Sequence, residues 1–121
     1  MLLGDLNCDP VDGDARRDAL QQLLAHPRVQ DPQPRSDGGV FQSRRQWGAN
    51  GAHTGDPALD TADFGDDPGK EPGNLRVDYV LVARQRRVTA SEVLWPEPHG
   101  PGAAAVEASD HRLVWADVAV R

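Results

Sequence analysis

The chain has 121 residues, enough for one domain or less built on a single hydrophobic core, and a formal net charge of −6. Hydrophobic residues make up only 38% of it, and 12 glycines and 10 prolines punctuate it, so turns and loops must take up much of its length. There is no general basic face for nucleic acid. The lone cysteine rules out an internal disulfide framework and a cysteine-only metal site, and no apolar run reaches the ~18 residues of a membrane span.

The opening stretch, Met1-Leu2-Leu3-Gly4-Asp5-Leu6-Asn7-Cys8-Asp9-Pro10, predicts a strand over Leu2 to Leu6 that ends in a carboxylate and a carboxamide two residues apart. A period of two puts Leu3, Asp5 and Asn7 on one face unless the end of the strand twists, and Gly4 leaves room beside the backbone. Two readings fit: polar groups held at the rim of a cleft, or an Asx-type turn in which the side chains bond their own backbone. The first residues lack the basic start and long apolar core of a signal peptide.

Asp14 is placed to cap a helix over Ala15 to Ala25, with Ala15, Ala19, Leu20, Leu23 and Leu24 on its apolar face. His26-Pro27 ends that helix, with His26 beside the last carbonyls. From Pro27 to Asn74 glycine and proline recur so often that residues 27–74 read as one long loop. It holds an acidic cluster (Asp56, Asp60, Asp63, Asp66 and Asp67) with His53 just upstream. The cluster reads as a solvated acidic loop or, less simply, as a calcium- or substrate-facing one, although its spacing is not that of an EF-hand. Trp47 and Phe64 are expected to tack the loop to the body.

Leu75 to Val82 is apolar on both faces, as expected of a central strand covered on both sides. Asp78 therefore needs a partner, and Arg76 is the nearest on its own face. Gln85-Arg86-Arg87 reads as a turn, Val88 to Trp95 as a strand and Pro96 to Gly102 as a loop with His99 exposed. Ala103 to Ala108 follows as a short helical turn. The triplet Ser109-Asp110-His111 then leads into a last strand, at whose entrance both Asp110 and His111 are able to line a cleft.

Gly-Asp-Leu-Asn, then Arg-Val-Asp-Tyr-Val-Leu, then Ser-Asp-His, each beside a strand and in that order, resembles the second half of the endonuclease/exonuclease/phosphatase family. This is the fold of pancreatic deoxyribonuclease and the abasic-site endonucleases. The loop from Gly48 to Phe64 and the tail from Trp95 to Val118 also resemble a bacterial branch of the family, often found in exported proteins. The resemblance spans essentially the whole of 1–121. It implies an α/β (α+β) fold, namely the second half of a four-layer sandwich with a mixed or antiparallel sheet, one main helix and a long Pro/Gly-rich loop.

The resemblance also implies roles. Asp5 matches the acid that orients or deprotonates the attacking water, and Asn7 the amide that helps hold the phosphoryl group. Asp78 matches the strand carboxylate that pairs with the histidine, and His111 that histidine, acting at the scissile phosphate as a base or as a transition-state stabiliser. Asp110 matches a ligand to a divalent ion, Mg²⁺ or else Ca²⁺ or Mn²⁺. These roles suit phosphoester hydrolysis, which needs a positioned water and compensation of charge on the non-bridging oxygens. The implied partner is a phosphoester substrate: nucleic acid, nucleotide or another organic phosphate.

The early Asn, the metal-binding Glu and the further His of the family's first half have no counterpart here. The expectation is a truncated reading frame whose apolar sheet face is left open, and which needs a missing N-terminal half or self-association. A catalytically silent fragment used for binding or structure is the alternative, with a calcium-binding loop module as a third.

Overall fold

A computed structural model of the chain describes residues 1–12, 16–65 and 72–120. In chain order the elements are β1 (Leu2–Asp5), α1 (Arg17–Leu24), β2 (Val29–Gln30), α2 (Asp37–Arg45), β3 (Ala62–Asp63), β4 (Asn74–Leu75), β5 (Asp78–Ala83), β6 (Val88–Leu94), α3 (Ala103–Ala108) and β7 (Leu113–Val118). This is mixed α and β structure, and the named strands pair antiparallel throughout. No helix among the described residues is long and apolar enough to cross a membrane.

The apolar run after Arg76 forms the central strand its pattern predicts. β5 lies between β1 and β2, and Tyr79, Val80, Leu81 and Val82 are all buried. Against it packs α1, whose Leu20 is buried with Cys8, Tyr79 and Leu81, while Leu23 and Leu24 lean on the same cluster. Burying Leu20 alone contributes about 2 kcal/mol of transfer free energy. Ala19, expected on this face, is exposed. The expected cap Asp14 and first helical residue Ala15 lie outside the described residues. The described helix begins instead after Arg16, which has left-handed backbone at φ 54°.

The stretch 27–74 is not loop throughout, and α1 is not the one main helix. α2 lies inside it, as do β2, β3 and a 3₁₀ turn at Pro57–Leu59, and β4 begins at its last residue. Two glycines in the first turn of α2 hide it from propensity arguments. They are there for packing: a Cβ on Gly38 would lie 2.6 Å from Trp95 Cβ, and one on Gly39 would lie 2.6 Å from the Pro57 carbonyl. Ser36 caps the helix through its Oγ, which accepts from the Gly38 amide. Trp47 tacks nothing down, being 76% exposed.

Of the described members of the acidic cluster, Asp56 is exposed, as a solvated loop requires, but Asp60 and Asp63 are not. Asp60 is 1% exposed, and His53 Nε2 contacts it at 3.1 Å, with Asp12 3.7 Å from the same nitrogen. Asp12 in turn accepts from the Thr54 amide and hydroxyl and from the Gly55 amide. This clasp joins the segment after β1 to the segment before β3. The hydrogen bond to Asp60 raises the His53 pKa against the opposing effect of burial, and the charges of Asp60, Asp12 and Asp9 add to the rise. For Asp60, burial dominates and pushes its pKa up despite His53.

A histidine raised in the folded state contributes stability that is complete below its unfolded pKa of about 6.5 and is lost as pH rises through the folded value. Denaturant titrations from neutral into mildly alkaline pH should therefore show stability falling just above that point. His53→Gln should remove its share of the fall and cost about 1–3 kcal/mol near pH 6 by stranding buried Asp60.

Candidate active site

β1 ends at Asp5, and its register with β5 sets Asp5 directly opposite Asp78. Two carboxylates facing each other across an antiparallel pair repel, so the site calls for a cation. His111 answers that need: its Nδ1 lies 2.8 Å from Asp78 Oδ2. The hydrogen bond to Asp78 raises the imidazole pKa, burial opposes the rise, and the charges of Asp78, Asp5 and Asp110 reinforce it. The competing expectation for Asp78 is settled by geometry. Arg76 turns away to make a two-pronged pair with Asp31, at 2.8 and 2.7 Å.

Backbone pairing delivers His111 to this point. The Asp63 amide donates to the Asp110 carbonyl and the Arg112 amide to the Thr61 carbonyl, with an antiparallel bridge between Ala62 and His111. Residues 110–112 thus lie along β3. Ser109 Oγ accepts from the His111 amide and fixes the entry turn. The adjacent side chains approach each other, with His111 Nε2 3.9 Å from Asp110 Oδ1, too far for a hydrogen bond. Arg112 turns inward, stacks on Trp95 at 4.8 Å and reaches Asp63 at 3.3 Å. The Phe64 ring meets His111 edge-on, with 6.2 Å between centroids. With Nδ1 committed to Asp78, Nε2 is the nitrogen left for a substrate, and the His111 side chain is 35% exposed.

Asn7 lies beyond the end of β1, so strand alternation does not carry it to the face of Asp5. Its backbone is left-handed at φ 50°, a conformation Asn tolerates better than most residues, and its amide donates to Asp5 Oδ1 at 2.7 Å. This is the Asx-type turn of the two readings. Gly4 serves the backbone rather than a neighbour: its φ is +144°, and nothing lies within 4 Å of where a Cβ would stand.

Asp5 and Asp110 offer the oxygen donors that suit a hard divalent cation. They match in kind but not in number. Among the described residues, no group of three His, Cys, Asp or Glu side chains is gathered closely enough to hold a metal ion.

A scan against protein families matches residues 1–111 to the Endonuclease/Exonuclease/phosphatase family. The chain belongs to that family. Searches of curated proteins and of solved structures return no match. Membership in the endonuclease/exonuclease/phosphatase family suggests a hydrolytic, phosphoesterase or nuclease kind of function. It does not name the substrate.

Two contributors escape a reading of the sequence. Phe64 supports the imidazole rather than merely anchoring a loop. Thr61 bonds to the backbone of β5 from a stretch that carries no motif. Asp78→Asn should lower the His111 pKa, because a full charge facing Nδ1 is replaced by a dipole. Imidazole NMR titration of the metal-free chain measures it, and an unchanged midpoint would mean that the pair does not form in solution.

Proposed function

We propose that the chain carries the proton-handling part of a metal-dependent phosphoester hydrolase, a phosphodiesterase or nuclease or else a phosphatase. The observation that supports this best is the Asp78–His111 pair opening to solvent beside Asp5. Asp5 keeps one oxygen for the Asn7 amide, and its other oxygen is free to orient a water and take its proton as that water attacks phosphorus. The Asn7 carboxamide hydrogen-bonds the phosphoryl oxygens. His111, whose pKa the hydrogen bond to Asp78 raises, presents Nε2–H in its protonated form to a non-bridging or leaving oxygen, where negative charge grows as the ester P–O bond breaks. Asp110, 57% exposed, would contribute an oxygen to a divalent cation such as Mg²⁺. When bound, that ion would neutralise phosphate charge and help offset the acidity of the cleft.

The remaining ligands would have to come from a further surface, belonging to the same protein or to a second copy. Leu3 and Leu113, 62% and 63% exposed, edge a shallow apolar groove with Asp78, Tyr79 and Val80 in its wall, so such a surface would seat next to the site. The same open face and short donor set favour a second reading, in which the chain is catalytically silent and serves for binding or structure.

The two readings separate by assay. The protein is offered phosphodiesters and phosphomonoesters with and without Mg²⁺ or Ca²⁺. Hydrolysis that depends on the divalent ion, and that falls at least about 10²-fold in both Asp110→Ala and His111→Ala, is the expected result. No turnover on any ester leaves only the silent reading.

A further inference from the structure

The Asp78–His111 pair is made by side chains 33 residues apart, one at the start of β5 and one just before β7, so something has to keep their backbones in register. The residues that do so meet at Thr61. Its side chain is buried, and its Oγ1 accepts from two successive amides, Val77 at 3.0 Å and Asp78 at 2.9 Å. Its own amide donates to the Leu75 carbonyl at 3.0 Å, and its carbonyl accepts from Arg112 at 2.7 Å. One residue thus bonds to the backbone just before the acid and at it, and to the backbone just after the histidine. The Val77 carbonyl accepts from Leu6, between Asp5 and Asn7, so the same clamp reaches the end of β1.

The chain needs this clamp because of a break in its own strand. β4 ends at Leu75 and β5 starts at Asp78, and between them the chain passes from its partner β3 to its partner β1. At that crossing the amides of Val77 and Asp78 lack a neighbouring strand carbonyl, and Val77 is 3% exposed, so water is no substitute. A hydroxyl oxygen with two lone pairs serves both.

We infer that Thr61 is a positioning residue for the reaction: its Oγ1 fixes the backbone at Asp78 so that the carboxylate meets His111 Nδ1. The functional weight of this rests on the reading of the pair as the working centre, while the geometry does not. Valine at 61 keeps the shape and removes the acceptor, stranding two buried donors. Serine keeps the acceptor.

The test is NMR on the chain with three readouts. In the unsubstituted chain, the Val77 and Asp78 amides should be protected from hydrogen exchange and the His111 Nδ1–H should give a far-downfield signal. Thr61→Ser should keep both features. Thr61→Val should speed exchange at the two amides at least about tenfold and lose the downfield signal, in a chain that still melts cooperatively. Unprotected amides in the unsubstituted chain, or a downfield signal that persists in Thr61→Val, would overturn the inference. Should the valine variant not fold, exchange in the unsubstituted chain and in Thr61→Ser decides alone. Amides that respond as expected, in a protein that hydrolyses no ester, would sink the proposed function and leave the clamp standing.

Discussion

An imidazole among three carboxylates is the interaction on which the rest of this structure turns. Asp5 and Asp78 are forced opposite each other by strand register, and Asp110 lies beside His111 in sequence. Such a concentration of negative charge is unfavourable without a counter-charge. Asp78 meets His111 at Nδ1, and that hydrogen bond, with the charges of Asp78, Asp5 and Asp110, raises the imidazole pKa against burial. The acidic environment thus favours the cationic form of the imidazole at its centre.

Around that centre the protein places further buried or part-buried carboxylates, each with partners of its own. Asp9, 4% exposed, takes three backbone amides, from Val11, Asp12 and Arg76. Asp31 binds the Arg76 guanidinium, and Asp63 accepts from Gln46, Gly65 and Arg112. Asp60 depends on His53. Polar closure of this kind suits a chain with a small apolar core, because satisfied networks fix one arrangement where hydrophobic packing alone would leave several. The cost falls on any variant that removes one member.

What could be read in the sequence follows from how local the cause is. β5 was legible because four apolar residues in a row require cover on both faces, and Asp78 stood out because a charge in such a run needs a partner. The identity of that partner was not legible from periodicity, since Arg76 sits closer in sequence and His111 arrives only through the pairing of 110–112 with β3. The resemblance of three ordered motifs supplied that link. α2 was hidden because Gly38 and Gly39 lower helix propensity for the sake of contacts with Trp95 and Pro57 made far along the chain. The acidic cluster looked solvated because nothing local shows that His53, Arg112 and Gln46 fold onto it. Thr61 has no signature at all; its value lies in a break between strands that only the fold reveals.

The central claim is that Asp5, Asn7, Asp78, Asp110 and His111 surround one phosphate-sized hollow. Inorganic phosphate, titrated with and without Mg²⁺ into the isotope-labelled protein, tests it most directly through chemical-shift mapping. The account predicts saturable shifts centred on the amides of Asn7 and Asp78 and on the His111 ring, strengthened by Mg²⁺. Shifts that saturate elsewhere on the chain, with these positions unmoved, would contradict it.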